Sequence, residues 1–359
     1  MKKIESFCLI YRKLFICLAM LVSLILATAC GKDAVDERFH LRIAYSPSLC
    51  QAPLHLALEL GFLEEEGIIG ENIQVDAAHV QEAIGANQVD VGFGLIGKFL
   101  QPVENGLPIK FTAGIHTGCI KIFALPKSGI TSIADLKGKK IGVPGLAGAE
   151  ALVAKRALFM NNIKIDPRDA EVEFVVFSRN ELGQALENGV VDAVSLGDPV
   201  AAQMVDSYNA NVIVDTAKTP EFALEYCCAS FISEALAKEH PEIAAAFTRA
   251  ILKASVWVAE HPEEAAKLQI KYKYVAGNPD FNAEILKSYN YKPSVKGGYD
   301  AIVISSGQLA KIGVLSNSIN PEEFAKNSYV FFDDVKDTYT IEESQPPKNR
   351  SNRRTVTSF

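Results

Sequence analysis

Positive charge is scarce in this chain of 359 residues: 36 Lys and Arg stand against 43 Asp and Glu, a formal net charge of −7. Nucleic-acid binding needs a basic face, so no nucleic acid is expected as a partner. Several catalytic signatures are missing as well. There is no Gly-x-Ser-x-Gly, no His-Glu-x-x-His and no P-loop, so the sequence supports no hydrolase elbow, zinc protease or nucleotide hydrolase. No catalytic residue and no cofactor is expected. Past the first thirty residues, no apolar run reaches the ~20 residues that span a bilayer. The composition, 48% hydrophobic and 22% charged, is not that of a disordered, collagenous or coiled-coil chain. At about 150 residues per domain it has room for two domains.

The first thirty residues read apart from the rest. Lys2, Lys3, Arg12 and Lys13 surround or precede an uncharged run of sixteen residues, Leu14 to Ala29. It ends in the small residues Ala27, Thr28 and Ala29. A basic region, an apolar core and a small-residue cleavage zone make residues 1–29 a signal peptide. Cys30 stands at the cleavage point, and Leu26-Ala27-Thr28-Ala29-Cys30 resembles a bacterial lipobox, with Ala27 where Leu is commoner. The resemblance implies acylation of Cys30 and an extracytoplasmic protein held to the membrane by lipid, on the cell surface or the periplasmic side. A plain secretory signal and an uncleaved anchor are the alternatives. Removal of four bases and Glu5 takes the formal charge from −7 to −10.

Of seven cysteines, Cys8 and Cys17 leave with the signal, and Cys50, Cys119, Cys227 and Cys228 remain beside Cys30. Exported proteins generally use cysteine in disulfides. Neighbouring side chains on a strand point to opposite faces, so Cys227 and Cys228 are not expected to pair with each other.

Short strand patterns alternate with helical ones along the mature chain. Strands are expected at 41–45, 70–77, 89–94 and 109–115, with helices at 53–60, 80–88 and 96–105 between them. The pattern then restarts, with strands at 139–144, 172–177, 191–196 and 212–215 and helices at 132–136, 148–161, 178–188 and 199–208. Such alternation predicts doubly wound, mostly parallel sheets. The run Gln88-Val89-Asp90-Val91-Gly92-Phe93-Gly94 echoes Val190-Val191-Asp192-Ala193-Val194-Ser195-Leu196-Gly197, which suggests two similar lobes. Beyond Cys227 the pattern turns mostly helical, with helices near 233–238, 241–260, 262–272, 279–288, 298–312 and 321–327; Pro241, Pro262 and Pro321 stand at helix starts, and His240 and His261 before two of them read as caps. His55 and His79 have no obvious partner. From Glu342 the polar tail reads as disordered.

Three strings resemble one family. They are Ala44-Tyr45-Ser46-Pro47, then Gly61-Phe62-Leu63-Glu64-Glu65-Glu66-Gly67-Ile68, and later Asp135-Leu136-Lys137-Gly138-Lys139-Lys140-Ile141-Gly142-Val143-Pro144. With the lipobox they resemble the type II periplasmic-binding-protein fold. The nearest group is the ABC-importer substrate-binding proteins for nitrate, sulfonate, taurine and thiamine-pyrimidine precursors. The resemblance covers residues 41 to about 312. It implies a first lobe of residues 41–117 and 225–340, a second lobe of 120–220, and ligand in the cleft between them. It implies as partners a small-molecule solute, an ABC permease and its ATPase, with the receptor itself a monomer.

The cleft should be lined by loops that follow strands. That places Ser46, Ser48, Cys50 and Gln51 after the first strand, and Leu95 after the third. His116 and Cys119 fall at the crossover between lobes, and Leu146, Ala147 and Gly148 before the main helix of the second. Asp198 follows the strand ending at Gly197, and Cys227 and Cys228 lie at the return. These positions carry no Lys or Arg, and Glu150 sits in a helix first turn, where a carboxylate repels a bound anion. A neutral or cationic, nitrogen-containing solute is therefore expected, with Asp198 either pairing to an amine or capping a helix. Fungal thiamine-pyrimidine synthases share this fold and carry a Cys-rich run that Tyr226-Cys227-Cys228-Ala229-Ser230 resembles, with two of those cysteines. A metal is not expected, but His116, Cys119, Cys227 and Cys228 are its candidates. Buried thiols and a Cys50–Cys119 disulfide are the other readings. The functional alternative is a metal-dependent, thiamine-pyrimidine-synthase-like enzyme.

Overall fold

The computed structural model describes residues 38–347 except Ala78. The expected signal peptide, Cys30 and the last residues of the tail lie outside that range. Among the described residues, those from Phe39 to Pro347 form one compact unit. Two sheets organise it.

The first sheet begins with β1 (Phe39–Tyr45), α1 (Ala52–Glu59), α2 (Phe62–Glu65), β2 (Ile68–Gln74), α3 (Val80–Gly85), β3 (Val91–Leu95), α4 (Ile96–Glu104) and β4 (Ile109–Thr117). The chain then crosses into the second sheet. This contains β5 (Ile120–Ala124), β6 (Lys140–Val143), α5 (Ala149–Met160), β7 (Glu173–Val176), α6 (Leu182–Glu187), β8 (Ala193–Gly197), α7 (Val200–Tyr208) and β9 (Asn211–Asp215). It returns through α8 (Pro220–Ala223) and β10 (Tyr226–Ser233). After that come α9 (Glu234–Glu239), α10 (Pro241–Glu260), α11 (Pro262–Lys271), α12 (Pro279–Ser288), β11 (Tyr291–Ser294), α13 (Val295–Lys311) and α14 (Pro321–Ser328).

The strand orders are β11-β4-β10-β3-β1-β2 and β7-β6-β8-β5-β9. The α/β class holds, but each sheet is mixed rather than mostly parallel. β1 runs parallel to β2 and β3, whereas β10 lies antiparallel between β3 and β4. In the second sheet β5 lies antiparallel between β8 and β9. The antiparallel strands β5 and β10 are the ones the chain uses to enter and leave the second sheet.

Beyond Cys227 the chain is mostly helical, as expected, but β10 was not foreseen. Ala229, Phe231 and Ile232 are fully buried, and a short apolar run buried on both faces carries no period that separates strand from helix. The tail also needs correction. Glu342–Ser344 forms a helical turn with Ser344 fully buried, and Lys336 pairs with Glu343 at 2.5 Å.

Glycine is required where the sheets join. Gly118 has φ +54°, and a Cβ there would lie 2.1 Å from the backbone nitrogen of Ala217 on the returning segment. A second requirement is in Gly92-Phe93-Gly94-Leu95-Ile96-Gly97, which has the spacing of a dinucleotide fingerprint at a strand-to-helix turn. A Cβ on Gly92 would meet Phe231 Cζ at 2.6 Å, and one on Gly94 would meet Phe99 Cε2 at 2.7 Å. These two glycines make room for aromatic rings of the core.

Candidate functional site

Two adjoining features occupy the junction of the sheets. The first is a narrow, partly open cavity of about 50 Å³, below the ~300 Å³ of a small-molecule site, so a ligand there requires its walls to part. Leu95, Ile96 and Gly97 line it from the first sheet, and Ala149, Leu152 and Val153 from the second. Phe222, Ser305 and Leu309 close it. One ion pair crosses this apolar space: Arg156 donates to Glu225 at 2.6 Å. The guanidinium also lies 4.9 Å from the centroid of the Phe222 ring. Gln308 Nε2 donates to the other oxygen of Glu225 at 3.0 Å. The pair leaves two buried polar atoms without partners, Arg156 Nε and Gln308 Oε1. One is a donor and the other an acceptor.

The second feature is a group of thiols around His116. Cys50, in the turn after β1, and Cys119, in the crossover, are buried with Cys228 and His116. The ligand atoms of Cys50, His116, Cys119 and Cys228 all lie within 4.8 Å of one another. Cys227 joins from the side, with Sγ at 3.4 Å from Cys119 Sγ, 3.7 Å from Cys228 Sγ and 3.5 Å from His116 Nδ1. No disulfide forms among these four cysteines. Adjacent Cys227 and Cys228 come together because the ladder is irregular. Tyr226 pairs with Thr117 and Cys228 with His116, so Cys227 is an extra, bulged residue. A bulge re-aims side chains, which corrects the expectation that the two thiols diverge.

The His116 ring stacks on Tyr289, with centroids 5.3 Å apart, and Nδ1 faces its neighbour's carbonyl, Thr117 O, at 3.0 Å. A carbonyl only accepts, so the proton belongs on Nδ1 and Nε2 carries a bare lone pair. That Nε2 is buried without a partner, as are the hydroxyls of Thr117 and Tyr289. The thiols are not equivalent. Contact with Cys227 holds the Cys119 thiol at about 11, with burial adding to it. Burial also opposes ionisation of Cys227, but hydrogen bonds from Cys119 and Cys228 outweigh it and bring that thiol down to about 6. Burial pushes the Tyr289 and Tyr291 hydroxyls well up.

Several expected site residues are consumed by the fold. Ser46 donates to Val75 O, and its own N–H is taken by Gln51 Oε1. Gln51 Nε2 donates to Phe93 O at 3.3 Å, and Ser48 contacts Cys50 Sγ at 3.2 Å. Leu146 is half exposed, and Ala147 and Gly148 share its turn outside the cavity wall. Leu95 and Cys227 do line the cavity. Asp198 has both proposed partners within the chain: Lys121 supplies the amine and Ala202 N–H the helix contact at 3.0 Å. Burial raises its pKa, against the pull of Lys121. Glu150 is paired with Arg179. Lys121 and Arg179 thus answer carboxylates that seemed unopposed, because both cations come from segments distant in sequence. Glu150 therefore no longer argues against an anion at that helix end. Arg156, Phe222 and Glu225 were missed, and their pairing has no local sequence signal. His240 and His261 precede helices as expected, but neither side chain caps one.

The pattern of the family described as NMT1/THI5 like matches residues 50–265. The chain belongs to this family. An aliphatic-sulfonates-binding relative from Bacillus subtilis (strain 168) is 27% identical over 265 residues, 70% of this chain and 76% of its own. The 4-amino-5-hydroxymethyl-2-methylpyrimidine phosphate synthase of Aspergillus parasiticus is 26% identical over 255 residues, 67% of this chain and 72% of its own. Among solved structures, the periplasmic aliphatic sulphonate binding protein of Escherichia coli aligns with a TM-score of 0.66 and 13% identity, over 89% of this chain and 99% of that one. This family member has the periplasmic-binding-protein fold. Among its described residues no helix is long and apolar enough to cross a membrane.

Proposed function

We propose that the protein is the extracytoplasmic solute-binding receptor of an ABC importer, with a small, neutral or cationic, nitrogen-containing solute held in the cavity between the sheets. One observation carries the choice of ligand. The cavity is mostly apolar, its one crossing charge pair is internally neutral, and Arg156, which lines it, keeps one donor, Nε, without a partner. A flat heterocycle with a ring acceptor satisfies that atom and lies against Phe222. An anion gains little, because Glu225 already neutralises Arg156. The lobes, 41–117 with 225–340 and 120–220, close on the solute about the crossing segments, and the closed form docks on a permease driven by its ATPase. Acylation at Cys30 holds the monomer at the membrane.

Native mass spectrometry of the mature chain from its own host tests this reading. The expected result is one non-covalent organic mass per chain, lost in Arg156→Met and Glu225→Gln. Sulfonate or nitrate binding that survives both substitutions overturns the ligand class. Turnover of a pyrimidine precursor by the purified chain overturns the receptor reading in favour of the enzyme.

A further inference from the structure

We propose that Cys50, Cys119, Cys228 and His116 form a binding site for one zinc ion at the floor of the cleft, separate from the solute cavity. The donor set is the first reason. Three sulfurs and one imidazole are the ligands of closed, tetrahedral zinc sites, and soft thiolates select such a metal over magnesium or calcium. The geometry is the second. In a zinc tetrahedron the sulfurs stand about 3.8 Å apart, from bond lengths of about 2.3 Å. The four ligand atoms here already lie within 4.8 Å of one another, so a contraction of about 1 Å at most completes the shell.

The surroundings are the third reason. His116 is fully buried, its Nδ1 proton is directed at Thr117 O, and its Nε2 is left bare. A ring that served only packing would leave a buried acceptor unsatisfied at a cost of about 1–3 kcal/mol. Metal-ligating histidines use this arrangement, one nitrogen on a backbone carbonyl and the other on the ion. The ligands also come from separate parts of the chain. Cys50 follows β1, His116 and Cys119 bracket the outward crossing, and Cys228 sits on the returning strand. The ion therefore ties both crossing segments to the first sheet. Cys227 stays outside the shell and faces the cavity. Binding displaces one proton from each of three thiols and none from the imidazole, so three protons are released per zinc when the thiols start protonated.

The reduced mature chain is titrated with Co²⁺ as a spectroscopic probe of the same shell, then with Zn²⁺. The expected result is one Co²⁺ per chain, with thiolate-to-cobalt charge transfer and the intense visible bands of tetrahedral cobalt, displaced by one Zn²⁺. Cys50→Ser, Cys228→Ser and His116→Ala should each weaken Co²⁺ binding about 100-fold or more, while Cys227→Ser keeps the spectrum. Circular dichroism of each variant separates lost ligation from lost folding. Should a variant fail to fold, thiol counting on the unaltered chain decides: three thiols become protected by one equivalent of Zn²⁺. An absent tetrahedral spectrum overturns the site, and so does a spectrum that Cys50→Ser leaves intact and Cys227→Ser removes. A solute bound in the cavity without metal leaves the receptor reading standing while this site fails.

Discussion

Two fully buried histidines, His55 and His116, occupy opposite chemical situations. His55 lies on α1, stacked on Tyr274 with centroids 4.3 Å apart. Gln269 Nε2 donates to its Nδ1 at 2.9 Å and also faces Leu49 O. An amide N–H only donates, so His55 Nδ1 is the acceptor and its proton sits on Nε2. His116 is the reverse tautomer, with its proton on Nδ1 and a lone pair on an unpartnered Nε2. Burial and aromatic stacking are common to both. Both rings leave Nε2 without a partner; what separates them is that this nitrogen carries the proton in His55 and a lone pair in His116, and that thiols surround only the second ring. Around His55 stand an amide and tyrosines; around His116 stand four thiols.

The comparison can be broken in four ways. The largest effect is expected on stability from His55→Ala, which opens a hole among Tyr45, Tyr274 and Gln269 and should cost about 3 kcal/mol in denaturant unfolding. A loss near zero would mean that the ring is not packed as described. Next is the exchange of roles: His116→Ala should weaken Co²⁺ binding about 100-fold, equivalent to about 2.7 kcal/mol, while folded His55→Ala binds as before. Equal losses in both would erase the distinction.

Third comes acid. Burial brings the His55 ring from 6.5 down to about 3, so the unfolded chain takes up a proton that the folded chain refuses. The stabilisation from a neutral His55 is complete above pH 6.5 and declines as pH falls toward 3. Between pH 7 and pH 5 it removes about 2 kcal/mol, and His55→Leu should lack that part of the pH slope. Unfolding midpoints at the two pH values, for both chains, measure the difference. The smallest effect belongs to exposed His79, beside Asp76 on the surface. His79→Ala should change stability by less than about 0.5 kcal/mol, and a larger loss would point to a contact that its exposure does not show.

Most of the fold was legible in the sequence. Helices at 241–260 and 279–288 were placed to the residue, because proline at N1 and sustained periodicity mark helix starts locally. Strands β1, β3 and β4 were found within a few residues. β5, β10 and β11 were not foreseen: β5 and β10 are largely buried runs without a distinguishing period, and the four residues of β11 include Lys292 and Pro293, which disfavour a strand. Of the candidate site, His116, Cys119, Cys227 and Cys228 were singled out as metal candidates, and the structure groups them with Cys50. Cys227 stood among the metal candidates, whereas Cys50 did not. His55 seemed partnerless, although Gln269, 214 positions away, holds it.

The sequence alone determined what depends on neighbours along the chain: helix starts, the alternation that builds an α/β fold, and a deficit of positive charge. It also determined the supply of sulfur and imidazole. The tertiary structure decided which of these atoms meet. One bulged residue turned Cys227 and Cys228 to the same place, and a crossing that only Gly118 permits brought Cys119 against the returning strand. Arg156, Arg179 and Lys121 found their carboxylates across 69, 29 and 77 positions of chain. Contacts over such separations follow from how the sheets are joined, and no local pattern of residues encodes them.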